Sequence, residues 1–123
     1  MTSSARSKYR PWDVVLVPFP YTERAHAKVR PAVVISASVL ATATGTHYVA
    51  MITNAAHRPW AGDVPVSDLG EAGLPVESVV RPAKIATIDE QALIRVIGTL
   101  PKADRARVST SIHKFLATKI EAP

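Results

Sequence analysis

The sequence predicts a mainly β fold: a barrel or strongly curved antiparallel sheet with one C-terminal helix. Three observations lead there. Short β-branched apolar runs recur along the chain, with Gly, Pro, Asn or Asp between them. They do not alternate with helical segments, which argues against parallel βαβ units. Only the C-terminal stretch has helical periodicity. With 123 residues, 47% of them apolar and spread along the chain, one ordered domain around one core is expected.

The first strand is expected over 13–19 (DVVLVPF), ended by Pro20 and the polar stretch 21–24. A second, 31–36 (PAVVIS), begins with a proline, which a strand tolerates at its first position. The third, 47–53 (HYVAMIT), follows the turn signal at Gly45. Its alternation places Tyr48, Ala50 and Ile52 on one face and Val49, Met51 and Thr53 on the other. Shorter strands are expected over 63–66, 77–88 and 94–100. The helix then presents Val108, Ile112, Phe115 and Leu116 as one stripe, with Ile120 a turn further on. Pro101 suits the first helical position, and Lys114 and Lys119 complement the negative end of the helix dipole. Residues 1–10 are expected as a polar tail before a single domain over 11–120.

Composition excludes several chemistries. Without cysteine there are no disulfides, thiolate nucleophiles or cysteine-ligated zinc, and the chain suits a reducing cytosol. No apolar stretch follows the basic residues before Pro11, so no signal peptide is expected, and no run approaches the length of a bilayer span. A soluble cytoplasmic protein without membrane contact is the expectation. The net charge of +5 raises the prior for a polyanionic partner, although the same charge also keeps proteins dispersed. There is no P-loop, GxGxxG, GxSxG or HExxH motif. The four histidines, His26, His47, His57 and His113, lack metal-ligand spacing, so neither metal nor cofactor is expected. Composition and periodicity stop at a small basic β-rich domain.

Ordered motifs go further. Residues 12–19 (WDVVLVPF) resemble the opening "GD(I/V)(V/I)-x-V-x-F" strand of MazF/PemK toxins, with Trp12 at the glycine. Residues 29–36 (VRPAVVIS) resemble that family's "RPAVV(I/L)S". Met51-Ile52-Thr53-Asn54 falls where the family has a strand ending in Thr-Ser or Thr-Thr. Gly73-Leu74-Pro75, then Ser78-Val79-Val80-Arg81-Pro82 with Thr87-Ile88-Asp89, resemble its later strand, and Gly98-Thr99-Leu100 the segment before its final helix. The likeness covers about residues 12 to 118 in consistent order.

The resemblance implies an SH3-like barrel, a homodimer, and sequence-selective cleavage of single-stranded RNA, neutralised by a cognate MazE-like antitoxin. It makes Arg30 and Thr53 the catalytic pair. Metal-free cleavage proceeds by attack of a ribose 2′-OH on phosphorus and leaves a cyclic phosphate and a 5′-OH end. It needs charge stabilisation on the phosphorane, a proton acceptor and a proton donor. The planar fork of Arg30 suits phosphate oxygens, and the Thr53 hydroxyl can donate to a non-bridging oxygen. Judged singly, each has a plainer reading, as a surface arginine and a strand-favouring threonine.

The proton carrier stays open at this point. One branch of the family uses an Arg-x-Asp pair, but here the match is Arg81-Pro82-Ala83, with alanine at the aspartate. Arg24 and His26, in the loop before Arg30, are candidates for phosphate contact or proton transfer together with Arg81; Glu23 and His57 are further candidate bases. Arg24, Lys28, Arg81 and Lys84 are expected along an RNA groove, with Tyr21 and Trp60 as stacking platforms. Asn54, where the family more often has a hydroxyl, joins the RNA-binding set. Two rivals are a CcdB-like toxin that poisons topoisomerase by protein binding, and a non-catalytic SH3-like nucleic-acid-binding module.

Overall fold

The computed structural model describes residues 7–19 and 28–117, with only the backbone at Phe19. Six strands form one antiparallel sheet: β1 (Asp13–Phe19), β2 (Lys28–Val34), β3 (Thr46–Asn54), β4 (Val64–Pro65), β5 (Ser78–Asp89) and β6 (Arg95–Thr99). Their order is β4-β5-β3-β2-β1-β6. Each strand expected from the sequence is present, with boundaries shifted by a few residues. The sheet takes the open, curled form of the expected fold, with β4 and β6 at its edges. Two short helices, α1 (Ser38–Thr44) and α2 (Leu69–Ala72), and a 3-10 turn (Glu90–Ala92) were not expected; α3 (Lys102–Phe115) was.

Strand alternation puts an apolar core on each face of the sheet. Val14, Val33, Ala50, Ile52, Val80 and Leu100 pack with Val108 of α3 and Ala72 of α2. The intervening residues Val15, Val17, Ala32, Val34, Val49 and Met51 form a second cluster with Tyr9, Ala86, Ile88 and Leu93. The tail expected over 1–10 is therefore corrected at its end. Tyr9 is buried, and Ser7 Oγ donates to Glu90 Oε1 at 2.6 Å. One aromatic residue in a polar stretch has no periodicity to reveal it. The helix stripe is corrected likewise: Val108 is buried and Ile112 packs on the core, but Phe115 and Leu116 remain exposed at the helix end. Ile120 and Lys119 lie outside the described residues. Pro101 is the N-cap, one position earlier than expected.

Two irregularities curve the sheet. Between β3 and β5 the register jumps from Ala50↔Ile85 to Met51↔Arg81, so residues 82–84 bulge without a partner on β3. Pro82, which has no N–H to give the ladder, occupies the bulge and is fully buried. Between β1 and β6 the register shifts from Val14↔Gly98 to Val15↔Val96. At the start of β1, Trp12 has φ 74° and is the one described non-glycine residue in the left-handed region. Its amide donates to the Val34 carbonyl at 2.8 Å, and its carbonyl accepts from the Leu100 amide at 2.9 Å. This turn ties β1 to both of its neighbours.

Candidate functional site

The register of β2 and β3 explains why Arg30 and Thr53 meet. Ala32 pairs with Met51, so continuing outward by two residues sets Arg30 across from Thr53. Met51 pairs in turn with Arg81 on β5. By the two-residue period, Arg30, Thr53 and Arg81 all fall on the face of the second core, at its outer end. A cleft of about 410 Å³ opens there, lined by Arg30, Met51, Ile52, Thr53, His57, Arg81 and Lys84. Arg81, just before the β5 bulge, and Lys84, its last residue, both line the cleft.

Arg81 is 7% exposed and engaged through Nε and Nη2. Its Nε donates to Asp63 Oδ1 at 3.0 Å and its Nη2 to Asp63 Oδ2 at 2.9 Å, a bidentate pair. Nη2 also donates to the Arg58 carbonyl at 3.0 Å, and the guanidinium lies 4.4 Å from the Trp60 ring centre. Burial pushes the Asp63 carboxyl up. The Arg81 hydrogen bonds, the Trp60 amide and the Arg81 charge outweigh it and hold the group below its ordinary value. Asp63 was missed as a site residue. The only sequence signal was indirect: with Ala83 at the position of an acid, a carboxylate for Arg81 had to come from elsewhere.

Arg81 is thus a buried structural cation whose charge Asp63 balances, which weighs against its taking part in proton transfer. No such carboxylate partner holds Arg30 among the described residues, and it is half-buried at the cleft wall. Trp60 stands over Arg81, with the Lys84 ammonium 6.0 Å from its ring centre; it is 43% exposed and lies outside the cleft lining, beside these two lining residues.

The turn after β3 positions His57. Asn54 Oδ1 accepts from the Ala56 amide at 2.8 Å, and the Asn54 carbonyl accepts from the His57 amide at 3.0 Å. The chain folds back, and His57 Nδ1 comes within 3.1 Å of Thr53 Oγ1. Asn54 therefore uses its side chain to build this turn and does not line the cleft. Lys28 is exposed at the start of β2, also outside the cleft lining. Tyr21, Glu23, Arg24 and His26 lie outside the described residues.

The arrangement offers the Arg30 guanidinium, without an ion-pair partner among the described residues, a hydroxyl, an imidazole and an ammonium around one opening. Among the described residues the one carboxylate that meets a cation of this cleft, Asp63, is paired with Arg81. Such a site suits an anion with several oxygens. Among the described residues no group of three His, Asp or Glu side chains is arranged to hold a metal ion, and no helix is long and apolar enough to cross a membrane.

Known proteins agree with this architecture. The toxin MazF-mt6 of Mycobacterium tuberculosis is 25% identical and superimposes with a TM-score of 0.66, over 83% of this chain and 93% of that one. MazF of Deinococcus radiodurans is 18% identical, with a TM-score of 0.71 over 89% of this chain and 97% of that one. A mycobacterial endoribonuclease, solved with its cognate antitoxin, is 14% identical, with a TM-score of 0.71 over 92% and 99%. At these lower identities the likeness shows the fold alone. No curated protein sequence matches the chain. The family model for the PemK-like, MazF-like toxin of type II toxin–antitoxin systems matches residues 10–116. The chain belongs to that toxin family.

Proposed function

We propose that this protein is a sequence-selective endoribonuclease toxin that cleaves single-stranded RNA without metal, by attack of the 2′-OH on the adjacent phosphate. The observation that carries the reading is the cleft in which Arg30 and Thr53 share one opening, with cationic walls and, among the described residues, no carboxylate in its lining. Arg30 grips two phosphate oxygens with its fork and stabilises the charge that builds up on the phosphorane. Thr53 donates its hydroxyl hydrogen to a non-bridging oxygen. Lys84 attracts the neighbouring phosphate, and Trp60 beside it offers a face for a base. Arg24, His26 and Tyr21 precede Arg30 in the chain and complete the RNA contacts together with Lys28.

The protein acts in the cytoplasm as a homodimer, as the family resemblance implies. An acidic antitoxin segment neutralises it by seating carboxylates where RNA phosphates otherwise bind. The net charge of +5 favours both polyanions, and both associations weaken as salt rises. Sedimentation at micromolar concentration should give a dimer; a strict monomer would count against the shared groove.

The experiment that tests the assignment replaces Arg30. Arg30→Lys keeps the charge and loses the fork, so cleavage of a long RNA should slow by about a hundredfold or more, while circular dichroism stays unchanged. Turnover near wild type would remove Arg30 from the mechanism. A CcdB-like mode or a non-catalytic module would leave RNA intact with both proteins.

A further inference from the structure

The geometry points to His57 as the proton carrier of this cleft, acting beside Thr53; this inference rests on the ribonuclease reading above. Three observations support it. His57 lines the cleft, and its Nδ1 is 3.1 Å from Thr53 Oγ1. Its place is built rather than incidental: the Asn54 side chain and carbonyl both brace the turn that returns the imidazole over the strand end. Among the described residues of the cleft lining it is the one imidazole, the side-chain type best suited to carry a proton in both directions, since the other polar members are Arg30, Thr53, Arg81 and Lys84. The Arg-x-Asp alternative is closed in this chain by Ala83, and the carboxylate that does meet Arg81, Asp63, is spent in a bidentate pair.

The hydrogen-bond direction matters. A hydroxyl has one hydrogen to donate and lone pairs to accept with. With His57 in the Nδ1–H tautomer, the imidazole donates to Thr53 Oγ1. The threonine hydrogen is then free to point at a phosphate oxygen, and the Nε2 lone pair is free to take a proton. One contact therefore orients both catalytic groups. In the reaction the 2′-OH gives its proton to Nε2 as the 2′ oxygen bonds to phosphorus and the P–O5′ bond breaks. The departing 5′ oxygen takes a proton from water, and the imidazolium returns its own to solvent, so atoms and charge balance. Nδ1–H keeps its bond to Thr53 throughout.

Among the described residues, the charged groups that share the cleft with His57 are Arg30 on β2 and Arg81 and Lys84 on β5, with Arg58 next to it in the chain; Asp63 faces Arg81.

The test compares the full-length wild type, His57→Ala and His57→Asn on one long RNA, measuring kcat/KM across the pH range in chelator. Asparagine can keep a hydrogen bond to Thr53 at the Nδ1 position but carries no proton through the cycle. The wild type should lose activity as pH falls through the imidazole range. Both variants should be slower by about a hundredfold to ten-thousandfold and lack that acidic limb. Added imidazole should restore part of the activity of His57→Ala. If wild-type protein cleaves but His57→Asn retains its rate and its acidic limb, His57 only positions Thr53 and the inference fails. If wild type does not cleave RNA at all, the ribonuclease reading fails first and takes this one with it.

Discussion

Asp63 shows how much one residue can decide. Its carboxylate balances a nearly buried guanidinium, with side chains 10% and 9% exposed. Removing it by Asp63→Asn leaves Arg81 as an underpaired buried charge, which should cost about 3 kcal/mol near neutral pH. Because the folded state holds this carboxyl below its ordinary value, the stabilisation is complete above the unfolded value of about 3.9 and is lost as pH falls through the lower folded one. Urea unfolding should therefore show a gap between wild type and variant at about pH 7 that narrows on acidification. A gap independent of pH would mean that the pair contributes packing and not charge. Trp12 illustrates the opposite case. It stands where the resembling motif has glycine and keeps the left-handed backbone that glycine would adopt freely, at a cost of about 1–2 kcal/mol. The two backbone hydrogen bonds at Trp12 fix that conformation, and its side chain packs on the first core. The motif marked the start of the strand in the sequence, but the left-handed turn at Trp12 was not foreseen.

At the scale of elements, the strands were legible because β-branched runs alternate or sit between turn residues. The short helices were not. α1 buries only Ala41, and α2 is four residues long, so neither carries a stripe that periodicity can detect. What fixes α2 is contact: a Cβ on Gly73 would lie 1.9 Å from the Ile97 carbonyl oxygen, and one on Gly98 would lie 2.3 Å from the Ala72 carbonyl carbon. The helix end and β6 touch backbone to backbone. Gly73→Ala should accordingly lose about 2–4 kcal/mol, combining the left-handed penalty with overpacking. Gly45→Ala is the control, since Gly45 has a similar φ, +76° against +74° at Gly73, but nothing lies within 4 Å of its added Cβ, so it should lose only about 1 kcal/mol. Equal losses in thermal unfolding would show that the close approach contributes nothing. The site was legible to the same degree. Motif order pointed to Arg30 and Thr53, and the strand register brings them to one cleft. The Asp63–Arg81 pair spans 18 residues and depends on a two-residue strand, so no local pattern announced it.

The whole molecule is a curled sheet with a core on each face and a basic cleft at one end. The second core carries the strands that bring Arg30, Thr53 and Arg81 to that end, and the β5 bulge at Pro82 turns Arg81 and Lys84 toward the same opening. The cations that line the cleft among the described residues are side chains carried by strands, and one of them is held in a buried ion pair. The central claim is that these side chains alone cleave RNA. The most direct measurement incubates purified protein with a long single-stranded RNA in EDTA and maps the fragment ends. Discrete fragments should form at the same rate with and without chelator and should carry 5′-OH and cyclic phosphate ends. Cleavage that stops in EDTA and returns with Mg²⁺, or fragments with 5′-phosphate ends, would contradict the account.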